Sequence, residues 1–465
     1  MKIYFYGAAR TVTGSQFLVE SNGKKVLVDC GIYQGHRRDF YERNSQFPFE
    51  PRELDAVILT HAHIDHSGNL PNLVKQGYAG PIYCTPPTAG LAAIMLADSG
   101  KIYEEDAEYL NKKKRKHGEP KVEALFNRAD AEQVPAQFAA YGYEQPVEIA
   151  DSITCTLVEA GHLMGSSAIM LDVEENGRKK RLWFSGDIGR HKLPLLRDPV
   201  LPREPDLLVM ECTYGDRSHD DPQAAYDKFG EIVSRTIKRG GNVVVPAFSV
   251  GRTQEIVYCL NRMISAGELP PMPVYVDSPL AINATEVFRN YPDYFDDETH
   301  EFIQTGRHPA LSFPGLTYTR SVEASKAINA SKTPSVIISA SGMCEAGRIL
   351  HHLIHNIENE RNTICIVSWQ APNTLGRRLV EGAAKARIFG DEVPVRAEVA
   401  TINGLSAHAG QDFLIKYAET ANNPDLRGVY LVHGDSDAAS VLMEKLSASG
   451  IGNVRYPDRM EIAQL

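Results

Sequence analysis

The sequence predicts an α/β protein of two domains: a mixed α/β sandwich that contains both chain ends, and a parallel-sheet α/β domain inserted into it. Three observations carry this. The chain has 465 residues, more than one ordinary core accommodates. Short strand-like runs recur in its first half, interrupted by a helical segment, the pattern of an α/β sandwich. From near Tyr214 to near Leu379 strands and helices alternate regularly, the rhythm of βαβ units and a parallel sheet, and then the mixed pattern returns. The expected boundaries are 1–213 and 380–465 for the sandwich and 214–379 for the insert.

The expected strands of the first part are KIYFYG (2–7), KKVLVDC (24–30), DAVILT (55–60), SITCTLVEA (152–160), SAIMLDVEE (167–175), KRLWFSGD (180–187) and DLLVMECT (206–213). Several alternate apolar and polar residues, as a sheet with one buried face does. A charged helical segment runs from about Asp98 to Tyr141. In the insert, helical YDKFGEIVSRTIKRG leads to GNVVVPAF, RTQEIVYCLNRMISAG to MPVYVDSP, and GRILHHLIHNIENE to NTICIVSW, with SVIISASG a further strand. EVATING, the helix AGQDFLIKYAETA and GVYLVHGD then belong to the returning sandwich.

Composition excludes several classes. Hydrophobic content of 43% and charged content of 23% are ordinary for a globular protein. No segment approaches the roughly 18 apolar residues that span a bilayer, and MKIYFYGAARTVTGS lacks the pattern of a secretory signal. Seven cysteines stand singly, without a CxxC pair, so neither a disulfide framework nor a thiolate metal site is expected. They fit a reducing cytoplasm. A formal net charge of -10 disfavours broad attraction to nucleic acid but allows a local basic or metal-bearing groove.

The strongest signal is THAHIDHSG (60–68), directly after the strand-like DAVILT. His61, His63, Asp65 and His66 offer four ligands in one loop, imidazole and carboxylate donors suited to zinc or a similar ion. His61 and His63 can face one side while Asp65 and His66 serve a neighbouring position. One loop cannot close two sites, and further ligands stand at other strand ends: His162 after TCTLVEA, Asp187 after RLWFSG, His433 after GVYLV.

HAHIDH resembles the HxHxDH signature of the metallo-β-lactamase fold hydrolases, with Asp29 in VLVDCG, His162 and Asp187 matching the remaining motifs in order. The resemblance implies an αββα sandwich and two zinc ions: one held by His61, His63 and His162, the second by Asp65, His66 and His433, with Asp187 between them. Asp29 would orient the ligand loop. ECTYGDR, GLSAHAG and LVHGD flank the insert and are similar to the additional motifs of the β-CASP nucleases, on Glu211, His408 and His433. PAFSVGRTQE, VYVDSPLA, ISASGMCEAGR and SWQAPNTLGRRL resemble segments of the inserted β-CASP domain. Histidine at the third motif implies RNA over DNA. The short chain resembles stand-alone members without added terminal domains.

The resemblance further implies two-metal hydrolysis of single-stranded RNA, as endonuclease or 5′-exonuclease, leaving 5′-phosphate and 3′-hydroxyl ends. Asp65 and Asp187 would serve the metals, His408 would act as general acid and Glu211 would raise its basicity. Ser341 and Gly342 would contact phosphate, and Arg252, Arg348, Arg377 and Arg378 would supply positive charge. The family also allows a homodimer. KKKRK (112–116) reads better as a solvated helix face than as an RNA contact, and HHLIH (351–355) as structural, since it lacks the glutamate of HExxH. The alternatives are a DNA nuclease, a small-ester hydrolase of the same fold, and a non-enzymatic scaffold; filled ligand positions oppose the last.

Overall fold

The computed structural model describes residues 1–35, 37–114, 121–219, 221–306 and 308–465. It divides into two compact units: Met1–His191, Asp198–Ser218 and Ala407–Leu465 form the first, Lys192–Arg197 and His219–Ser406 the second.

Among the described residues, the first unit has two seven-stranded sheets. One runs in the order Ile462–Gln464, Lys2–Phe5, Phe17–Ser21, Lys24–Val28, Ala56–Ile58, Ile82–Cys84, Phe138–Ala140. The other runs Val454–Arg455, Val429–Val432, Leu207–Glu211, Arg178–Phe184, Ser167–Glu175, Ile153–Glu159, Pro146–Ala150. Alternate residues of both, such as Val26, Val28 and Ile58 against Ile169, Leu171 and Phe184, share one buried apolar cluster, which makes the pair a sandwich. Phe17 and Phe184 stack across it at 6.0 Å. On the other face of the second sheet, Trp183, Leu208 and Leu431 pack with Leu414, Tyr417 and Leu442 of helices Gln411–Ala421 and Ser436–Ala448. Leu27 and Val57 point away from the sandwich core yet are fully buried, so that face is covered too.

The second unit carries a six-stranded sheet: Leu316–Tyr318, Val274–Val276, Val336–Ser339, Val243–Pro246, Thr363–Ile366, Glu398–Thr401. Every pairing in it is parallel, as the βαβ rhythm predicted. A hairpin of Lys385–Ile388 and Asp391–Pro394 accompanies it.

Three expectations need correction. EVAT does not return to the sandwich: Glu398–Thr401 pairs with Thr363–Ile366 in the second unit, and the units part at Ser406, not at Leu379. Its half-buried Val399 and buried Ala397 join that unit's apolar cluster, which local pattern could not foretell. The entry into the second unit lies after Ser218 instead of at Tyr214. The charged helix spans Pro86–Lys114, starting earlier than Asp98, because the apolar LAAIML face is helical as well. Lys112 of the basic run pairs with Glu108, and residues 115–120 lie outside the described residues. All seven cysteines are free and buried. Among the described residues no helix is long and apolar enough to cross a membrane.

Candidate metal centre and proton-donor pair

The first unit gathers its polar groups at strand ends. Asp29 follows Lys24–Val28, the 60–66 loop follows Ala56–Ile58, His162 follows Ile153–Glu159, and Asp187 follows Arg178–Phe184. Glu211 ends Leu207–Glu211, and His433 follows Val429–Val432. The parallel register Glu211↔Val432 brings the last two to one edge.

Asp29 organises the loop. One of its carboxylate oxygens accepts from Thr60 N–H at 2.8 Å, and both accept from the Thr60 hydroxyl. The other takes the Nδ1 proton of His66 at 2.7 Å. That bond fixes the His66 tautomer and frees Nε2 to point inward. Thr60 was not anticipated, although it stands beside the histidine motif. Gly31 permits this approach: a Cβ there would lie 1.7 Å from the Asp65 carbonyl oxygen.

Three overlapping donor groups result: His61, His63, His162 and Asp187; Asp65, His66 and His433; and Asp187, His408 and His433. The first two are the expected ligand sets. In the first, His61 Nε2 and His63 Nδ1 are 3.0 Å apart, His162 Nε2 and His63 Nδ1 3.3 Å. Asp187 Oδ2 stands 3.5 Å from both His61 Nε2 and His162 Nε2. A tetrahedron with metal–nitrogen bonds of about 2.05 Å has edges of roughly 3.3 Å, so these spacings suit a small divalent cation. In the second set His433 Nε2 lies 3.3 Å from Asp65 Oδ2, and His66 Nε2 is 3.2 Å from Asp187 Oδ1. Asp187 thus gives one oxygen to each set. His66 Nε2 and Asp187 Oδ1 are buried without a hydrogen-bond partner among the described residues, which a cation between them would remedy. The seven expected ligand side chains therefore converge, and they fit divalent metal.

Electrostatics divide the ligand histidines: burial disfavours charge on His66, but Asp187 and then Asp29 outweigh it and raise its pKa well above the ordinary value. Burial lowers the pKa of His61 to about 4 and that of His63 to about 3, and holds His162 well below its ordinary value. These imidazoles stay neutral, as ligands must. Burial opposes charge on Asp187, but His433 and His66 outweigh it and keep the carboxyl well below its usual range.

Beside this centre His408 Nδ1 donates to Glu211, 3.0 Å from Oε1 and 3.1 Å from Oε2. Its Nε2 faces Asp187 Oδ2 at 3.9 Å. Glu211 is fully buried and is held by the Ile188 N–H at 2.6 Å. Burial disfavours charge on His408, but Glu211 and then Asp187 prevail and raise its pKa to about 9. His433 is positioned by its N–H to the Ala8 carbonyl (2.8 Å) and by Nδ1 against the Thr213 hydroxyl (3.1 Å).

The expected RNA contacts lie in the second unit and are not alike. Arg252 is buried and pairs with Glu255. Arg348 binds Asp277 at 2.6 Å and also donates to the Thr319 and Arg320 carbonyls. Both guanidiniums are thus engaged within that unit. His352 of HHLIH is buried and binds the same Asp277 at 2.7 Å, whereas His351 and His355 are exposed. Arg377 pairs with Glu381 at 2.7 Å, and exposed Arg378 donates to the Asn373 carbonyl at 3.3 Å. Ser341 and Gly342 follow strand Val336–Ser339 at the carboxyl edge of the sheet.

Comparison with known proteins finds three family matches along the chain. Residues 9–191 match the metallo-beta-lactamase superfamily, residues 253–379 the Beta-Casp domain, and residues 392–457 the Zn-dependent metallo-hydrolase RNA specificity domain. "Ribonuclease TTHA0252" of Thermus thermophilus is 36% identical over 97% of this chain and 97% of its own. The chain belongs to the β-CASP family of metallo-β-lactamase fold hydrolases. Another β-CASP relative, "Transcription termination factor FttA" of Methanosarcina mazei, is 31% identical over 96% of this chain and 69% of its own. The β-CASP architecture also matches a solved protein of unknown function from Enterococcus faecalis V583. That match has a TM-score of 0.55 at 14% identity and covers 100% of this chain and 99% of the other. As a β-CASP protein with this metal-binding fold, the chain is a metal-dependent nucleic-acid hydrolase.

Proposed function

We propose that the protein is a ribonuclease that binds two zinc ions and hydrolyses single-stranded RNA to 5′-phosphate and 3′-hydroxyl ends. The observation that carries this reading is the Asp187 carboxylate shared between two donor sets, with His408 beside it. A single-metal hydrolase has no use for the second set. The relative named a ribonuclease, and the RNA specificity match over residues 392–457, which includes His408 and His433, favour RNA.

His61, His63 and His162 would hold one ion, Asp65, His66 and His433 the other, and Asp187 would touch both. When bound, such ions lower the pKa of water and neutralise charge on phosphate oxygens. The chain's own part is positioning and proton transfer. His408, protonated at neutral pH by Glu211 and Asp187, presents Nε2 toward the metal side and can protonate the departing 3′-oxygen. The Ile188 N–H, at 2.6 Å, orients Glu211 toward His408. Asp29 keeps His66 in the tautomer that leaves Nε2 open. Ser341, Gly342 and the open Arg378 remain candidates for holding the strand.

Cleavage of single-stranded RNA labelled separately at each end, with and without a chelator, tests the reading. Expected are chelator-sensitive products with 5′-phosphate, and little cleavage of the matching DNA. DNA cut as fast as RNA, or cleavage undiminished by chelation, would overturn it.

A further inference from the structure

Next to the loop that supports the metal centre, in the same unit, lies a small pocket partly open to solvent. Arg43 and Arg459 line it together with Thr11, Thr13 and Tyr33, and no carboxylate residue does so among the described residues. The Arg43 guanidinium lies 4.1 Å over the Tyr33 ring. That stacking fixes its plane while leaving its N–H fork without a hydrogen bond among the described residues. Arg459 donates through Nε to the Tyr6 carbonyl at 3.0 Å. Neighbouring Asp458 is already taken by Arg10 at 2.7 Å. Burial, then the nearness of Arg43, lowers the Arg459 pKa, with Glu42 opposing. Two guanidiniums that share a cavity without a carboxylate repel each other. An anion between them turns that repulsion into two charge-assisted contacts.

The cavity shares a wall with the metal centre. Gly14 and Gln16 line the cavity, while Ser15 between them donates its N–H to the Asp65 carbonyl at 2.8 Å. Ala8, earlier in this loop, accepts from His433 N–H at 2.8 Å. A single strand bound at the metals carries further phosphates on either side of the bond that is cut.

We propose that Arg43 and Arg459 form a non-catalytic subsite for a backbone phosphate of the RNA substrate, away from the bond that is cut. The proposal rests on the ribonuclease reading. Its test compares the wild type with Arg43→Gln/Arg459→Gln in steady-state RNA cleavage over a range of salt. Hydrolysis of bis(4-nitrophenyl) phosphate, a diester too small to reach both places, is measured alongside. The subsite predicts a KM for RNA raised roughly tenfold with kcat unchanged and small-diester hydrolysis unchanged. The slope of log KM against log salt should fall by about 0.7, the value for one lost single-strand phosphate contact. Arg43→Lys/Arg459→Lys should recover much of the KM. If the Gln variant loses inhibition by inorganic phosphate while its RNA KM is unaltered, the pocket takes free phosphate and the proposal fails. Small-diester hydrolysis falling in parallel would mean that the residues act through the metal loop, and would equally overturn it. A wild type that does not cleave RNA would remove the functional reading itself; a wild type that does, matched by the Gln variant in KM, removes the subsite alone.

Discussion

His408 illustrates how one side chain takes its role from two neighbours. An imidazole buried alone would lose its proton, yet Glu211 at 3.0 Å and Asp187 at 3.9 Å hold the pKa at about 9. A group raised above its ordinary value is protonated below the raised value. General-acid activity should therefore persist through neutral pH and fall as pH rises through about 9. In Glu211→Gln the main opposing charge is gone, so that basic limb should move to lower pH, read from a kcat profile. His408→Ala should lower kcat by about 10²–10⁴-fold with bound metal unchanged by atomic absorption. Loss of zinc together with activity would contradict the assigned role, since His408 would then be holding the metal.

At the level of elements, the loop after Ala56–Ile58 is only as good as the turn that backs it. Asp29 takes three hydrogen bonds from Thr60 and one from His66. Asp29→Ala should weaken metal affinity by about 10–100-fold, the usual cost of removing such support, measurable by competition with a chromophoric chelator. Gly31→Ala places a methyl against the Asp65 backbone and should displace the same loop. The helix Gln411–Ala421 has a parallel dependence: Tyr417 hydroxyl accepts from Trp183 Nε1 at 2.7 Å, both side chains buried. Tyr417→Phe leaves a buried donor unpaired and should cost about 1–3 kcal/mol in chemical denaturation, with little effect on metal content.

For the molecule as a whole, metal and stability are linked. Nine ionisable side chains, His61, His63, Asp65, His66, His162, Asp187, Glu211, His408 and His433, converge in the first unit. A cation that binds the folded chain and not the unfolded one stabilises it by about 2.7 kcal/mol at one hundred times its dissociation constant. Chelation should therefore lower the midpoint of thermal unfolding as well as abolish cleavage, and zinc should restore both. An unchanged midpoint on metal removal would show that the buried polar cluster is self-sufficient.

Much of this could be read from the chain itself. Four ligands packed into six residues, HAHIDH, announce a metal loop because no structural requirement calls for such density. The βαβ rhythm announced a parallel sheet because apolar periods of two and near four are local properties. Strands such as Phe17–Ser21 and Ile82–Cys84 are too short to show a period, and only pairing with neighbours makes them strands. Folding alone decided the rest. Whether Glu398–Thr401 joins one sheet or another depends on the partner edge, here Thr363–Ile366. Whether an arginine is free to meet RNA depends on who reaches it first: Asp277 claims Arg348 from 71 residues away, while Arg43 and Arg459, far apart in sequence, face one cavity without a carboxylate. Residue type and local spacing are written along the chain, whereas burial and partnership are long-range and exist only once it has folded.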